Sequence, residues 1–205
     1  MSYAAFLAQA LLISLSGVLG PGPVTVVVVR KGARSPTAGA LVALGHGAVE
    51  FPLMVLIIAG LGPILQNRLG GAIIGLAGGA VLLFMGAQIL AALRRPVSEE
   101  APRETSAFLA GVLTSAANPY FLVWWATVGA TLVFRAWEFG FWPFALFAVA
   151  HWSLDLIWYF LLSAASYRGT SLLGRRFQTG VSTVCGILLL FFGVRFVADA
   201  LAALT

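Results

Sequence analysis

The chain has 205 residues, of which 60% are apolar and 9% charged, and its mean hydropathy is +0.99. An average soluble domain carries about 25% charged residues, so this composition excludes a soluble globule, and the apolar excess excludes intrinsic disorder. The net charge of +5 does not point to nucleic acid, because the basic residues fall in short clusters between apolar runs and form no basic face.

Six apolar runs follow one another at roughly 3 to 29, 37 to 62, 70 to 93, 106 to 134, 140 to 165 and 177 to 203. Each is long enough for a bilayer crossing, which needs about 20 apolar residues, and helices satisfy their backbone in lipid without water. The expected fold is an all-α membrane protein of six transmembrane helices. No Lys or Arg precedes Arg30, so the first run lacks the basic region of a cleavable signal peptide and is expected to stay as a helix.

In the first run, Gly20, Pro21, Gly22 and Pro23 remove two backbone donors and weaken the helix around them. A broken helix is expected, with Pro23 opening its second half and the unpaired N–H groups of that start aimed into the membrane. The second run carries His46 and Glu50, four apart and therefore on one helix face. The third holds Gly71, Gly75 and Gly79, a small-residue face suited to close helix packing. After it comes the one polar segment, RRPVSEEAPRET at 94 to 105, expected as a charged cytoplasmic linker between a first three-helix unit (1 to 93) and a second (106 to 205).

The fourth run carries Asn118, Pro119 and Tyr120, a second break with Asn118 as N-cap. Trp124 and Trp125 follow, with packing or an ammonium group as their partners. Trp137 and Trp142 flank the next connection as interface anchors. The fifth run repeats the ionisable spacing with His151 and Asp155. The sixth holds Cys185, whose solitude precludes an internal disulfide, and an Arg195/Asp199 pair near its end.

The two units resemble copies. Gly79 to Ala91 reads GAVLLFMGAQILA and Gly186 to Ala198 reads GILLLFFGVRFVA, while His46/Glu50 is matched by His151/Asp155 and the Gly-Pro break by Asn118-Pro119. An odd number of crossings per unit forces the second copy in from the opposite side, so the expectation is two inverted-topology repeats with helices 1 and 4 broken, the plan of many secondary transporters. Arg30, Lys31, Arg34, Arg94, Arg95, Arg103, Arg168, Arg175 and Arg176 all fall in alternate connections, which the positive-inside rule assigns to the cytoplasm. Both termini are then expected on the non-cytoplasmic side.

Together, the Pro-Gly-Pro of helix 1, the Gly- and Ala-rich start of helix 2 running into Gly45-His46, the charged linker and the Asn-Pro of helix 4 resemble the LysE-type amino-acid exporter family over essentially the whole chain. The resemblance implies a prokaryotic inner-membrane protein that exports amino acids or related metabolites on a proton or ion gradient. Many members read Asn-Pro-Lys where Tyr120 stands here, and the wider superfamily includes metal exporters, so the substrate stays open.

Three functions fit these residues. The first is a secondary exporter of a small zwitterion by proton antiport, with Gly20, Pro21, Gly22, Pro23, Asn118, Pro119 and Tyr120 holding the carboxylate, and His46, Glu50, His151 and Asp155 carrying the proton or meeting the ammonium. The physical ground is that two carboxylates in a low-dielectric cavity cannot both stay charged cheaply. The alternative is a divalent-metal exporter with His46, Glu50, His151 and Asp155 around the cation. The third is a non-transporting membrane scaffold. No enzyme motif and no nucleotide loop is recognised, and no cofactor is expected. The partners expected are the small-molecule substrate and the lipid bilayer, with a homodimer left open.

Overall fold

The computed structural model describes residues 2–20, 22–61, 68–93 and 105–204, and all regular structure among them is helical. The helices are α1 (Tyr3–Val18), α2 (Pro23–Gly32), α3 (Ala38–Leu56), α4 (Arg68–Leu93), α5 (Ala107–Ala116), α6 (Pro119–Trp124), α7 (Ala130–Glu138) and α8 (Phe141–Leu204). Pro21 and residues 94–104 of the expected linker lie outside the described residues.

Local chemistry sets several helix starts. Ser2 accepts from the Ala5 N–H at the start of α1 and Ser106 from the Leu109 N–H at the start of α5, which satisfies one orphan donor at each end. Pro23 and Pro119 stand in the first turns of α2 and α6, where a missing N–H removes no helical bond. The consequence is two bent spans: α1 and α2 meet at 75°, and α5 meets the segment Pro119–Glu138 at 59°. The α3 span ends in a wide turn at Ile57–Leu61, where Gly60 takes φ 103°, a backbone angle that disfavours any side chain.

Among the described residues three helical stretches are long and apolar enough to cross a membrane, Ala38–Gly60, Phe141–Leu172 and Thr179–Leu204, and up to five spans result if each bent pair counts as one. Gly75–Ala91 within α4 is a shorter apolar helix. Helix α8 holds two of these spans. Ser166 bonds the Val29 carbonyl and Cys185 the Val26 carbonyl, so both touch neighbouring turns of α2. At 1.5 Å per residue a straight helix would hold them about 28 Å apart, and the chain must therefore bend between them.

Helix α3 lies antiparallel to the first part of α8. The Trp152 indole donates to the Ala43 carbonyl at 2.9 Å and the Ser163 hydroxyl to the Pro36 carbonyl at 2.6 Å. Glycines permit this approach: a Cβ on Gly39 would overlap the Tyr159 carbonyl, while one on Gly45 would overlap the Phe108 carbonyl of α5 on another side of α3. Helix α4 packs antiparallel to the end of α8 by the same means, with Gly75 against Ala200, Gly79 against Val197 and Gly86 against Leu190. Cys185 is buried within this packing, and Arg195 and Asp199 form an exposed pair at 3.0 Å. Trp142 is 78% exposed and Trp137 43%.

Candidate functional site

Helix α3 contributes His46 and Glu50 on one face, and the antiparallel α8 contributes His151 and Asp155. All four are at most 4% exposed. Sequence spacing suggests two separate pairs, whereas the tertiary packing makes one cluster. His46 Nε2 stands 3.4 Å from Glu50 and 3.9 Å from Asp155, and His151 Nε2 stands 3.2 Å from Glu50 and 3.8 Å from Asp155. His151 is thus nearer the acid of the other unit than its own. One ligating atom each from His46, Glu50 and Asp155 lies within 4.8 Å of the others, close enough to share one cation.

Both Glu50 carboxylate oxygens and Asp155 Oδ2 are buried without an aligned hydrogen bond. A buried polar atom in that condition costs about 1–3 kcal/mol, more when charged, so the cluster is built to meet something. Five rings wall it: Phe121 and Tyr159 lie 4.8 and 5.8 Å from His46, and Trp125, Trp124 and Phe147 lie 4.9, 5.7 and 6.0 Å from His151.

The two helix breaks reach the same place. A Cβ on Gly22 would lie 4.0 Å from Asn118 Nδ2, so the starts of α2 and α6 face each other. They are chemically unequal. Asn118 caps its own helix, its Oδ1 accepting from the Tyr120 N–H at 3.1 Å, while Gly22 offers α2 no side-chain cap. A cavity of about 260 Å³ takes in both the breaks and the acidic cluster, lined by Gly20, Gly22, Asn118 and Tyr120 and by His46, Glu50, His151 and Asp155.

Of the residues singled out in the sequence, Pro23 is buried at the start of α2 and Pro119 half-buried at the start of α6. Tyr120 lines the cavity but is 52% exposed, its ring 5.0 Å from Phe196. Trp124 donates from its indole to Ser16 at 3.4 Å and closes over Gly17.

Sequence reasoning missed three residues. Tyr159 continues the stride of four from His151 and Asp155, and that spacing was the available signal. Ser14 and Ser115 contact His151 and His46 at 2.7 Å each, across sequence separations of 137 and 69 residues, and no local pattern announces them.

Membrane-length apolar helices, two of them broken, around a buried charged cavity define a membrane transport protein. The chain belongs to the LysE type translocator family, whose model matches residues 15–200. That span takes in both breaks and all four residues of the cluster, and it makes the chain a membrane exporter in general terms. No curated protein and no solved structure matches the chain.

Proposed function

We propose that the chain is a secondary exporter of amino acids or similarly small zwitterions, driven by proton entry. The observation that carries this reading is the cavity's polarity. At the breaks, the uncapped start of α2 and the Asn118 amide offer donors to a carboxylate. At the cluster, Glu50 and Asp155 offer an ammonium group carboxylate oxygens that accept no aligned hydrogen bond. A volume of about 260 Å³ lies below the roughly 300–1,000 Å³ of drug-sized sites, which suits a small metabolite.

In this reading Gly20, Pro21, Gly22, Pro23, Asn118, Pro119 and Tyr120 form the carboxylate end, and His46, Glu50, His151 and Asp155 the cation end. Substrate entering from the cytoplasm brings its ammonium to the acids in place of a proton, and release outside lets a proton return from that side. The antiparallel pairs α3 with α8 and α4 with α8 support a six-span inverted repeat, residues 1–93 against 106–205 across the 94–105 linker. The setting is a prokaryotic inner membrane with both termini outside, which reporter fusions at each terminus test.

The deciding experiment loads proteoliposomes with a panel of labelled amino acids and imposes an inward proton gradient. Gradient-dependent efflux of at least one zwitterion is expected. Efflux of a divalent cation in place of every amino acid, or of nothing, overturns the reading.

A further inference from the structure

The contacts of Ser14 carry a consequence for the chemistry of His151. Ser14 sits about one turn before the end of α1, fully buried. Its hydroxyl donates to the Ala10 carbonyl at 2.7 Å and stands 2.7 Å from His151 Nδ1. A serine hydroxyl has one hydrogen to give and two lone pairs to receive with. The carbonyl can only accept, so that hydrogen is committed to Ala10. The contact with His151 therefore runs the other way, with Nδ1–H donating to the serine oxygen.

The opposite ring nitrogen follows from this. With its hydrogen on Nδ1, the neutral ring turns a bare Nε2 toward Glu50 Oε1 at 3.2 Å and Asp155 Oδ2 at 3.8 Å. A bare nitrogen and a carboxylate oxygen at that separation are two acceptors, and they attract only when a hydrogen lies between them. The groups facing this ring are Glu50 from α3, Asp155 from its own helix and His46 beyond them. The rings of Trp124, Trp125 and Phe147 close the remaining sides.

We propose that Ser14 is a positioning residue that holds His151 as its Nδ1–H tautomer, so that Nε2 of His151 and the facing oxygen of Glu50 become the two ends of one proton's place. Ser115 stands in the corresponding position for His46 at 2.7 Å, so each histidine is steadied by a serine from the other unit. Because Ser14 belongs to the broken span, motion of α1 away from α8 would remove the acceptor for Nδ1–H. That transport consequence rests on the exporter reading above, whereas the tautomer assignment does not.

The test uses the chain's two histidines. Full-length protein, labelled with ¹⁵N-histidine and held in lipid nanodiscs, should give two ring signatures, assigned by comparison with His46→Gln. The His151 ring is expected to carry hydrogen on Nδ1. Ser14→Ala should shift the nitrogens of that ring and leave those of His46 in place, Ser115→Ala should do the reverse, and Ser14→Thr, which restores a hydroxyl, should return the His151 signature. In proteoliposomes Ser14→Ala should lower gradient-driven efflux about tenfold and Ser14→Thr should recover most of it.

A wild-type His151 ring with hydrogen on Nε2 alone overturns the proposal, and this needs no variant to fold. So does an unshifted His151 signature in folded Ser14→Ala. Absence of zwitterion efflux from the wild type, with the expected ring signatures intact, overturns the exporter reading and leaves the role of Ser14 standing.

Discussion

Replacing Gly39 by alanine tests whether the acidic cluster depends on the close approach of α3 and α8. The added methyl would overlap the Tyr159 carbonyl and lie 2.7 Å from Ser163 Oγ, where heavy-atom contacts of about 3.5 Å are normal. The obstacle is backbone, which no rotamer change relieves, so the helices must part by about an ångström. Overpacking of this kind costs about 1–3 kcal/mol, and backbone contact favours the upper end. Alanine returns up to about 1 kcal/mol as a better helix former than glycine, leaving a net loss of about 2 kcal/mol. At about 2–4 °C per kcal/mol for a chain of this length, the apparent Tm should fall by roughly 4–8 °C. Cys185, 4% exposed and alone, supplies the assay: a fluorogenic maleimide reports unfolding as the thiol becomes reachable on heating. Gly180→Ala is the control, since nothing lies within 4 Å of a Cβ there, and it should hold or raise the Tm. Parting α3 from α8 should also lengthen the 3.9 Å His46–Asp155 contact and depress efflux. A Gly39→Ala protein as stable as Gly180→Ala would refute the close packing on which the cluster is built.

Asp155→Asn keeps the side-chain shape and removes the charge; it should preserve exchange of labelled for unlabelled substrate while reducing gradient-driven efflux at least tenfold, and full gradient response would show that Asp155 carries no coupling role. Gly22 has φ −157°, an extended conformation any residue adopts, and its Cβ would meet Asn118 Nδ2 at 4.0 Å, so Gly22→Ala should leave the thiol-unfolding Tm unchanged while raising the apparent KM several-fold. Asn118→Ala should cost about 1 kcal/mol through the lost cap on α6. Asn118→Asp retains a cap oxygen but replaces the amide donor facing Gly22 with negative charge, so stability should hold while substrate affinity falls about tenfold; equal loss of both in the two variants would assign Asn118 to capping alone.

Much of this architecture is written locally. A proline has no N–H and clashes with the preceding turn, so the breaks at Gly20 to Pro23 and at Asn118-Pro119 were legible wherever the rest of the chain lay, and the 75° and 59° bends follow. Composition required a membrane, and a spacing of four required His46 to share a face with Glu50 and His151 with Asp155. Those relations extend only one turn along one helix. Whether two such faces meet depends on where glycines let backbones approach, as Gly39 does against Tyr159, and that is a property of pairs of helices far apart in sequence. Hence the fusion of two pairs into one cluster, the nearer approach of His151 to Glu50 than to Asp155, and the seating of Ser14 and Ser115 on the two imidazoles were decided only by the tertiary structure. A serine in an apolar helix ordinarily bonds its own preceding turn, as Ser14 does with Ala10, and its second partner is settled by whichever neighbour the packing brings against its free lone pair.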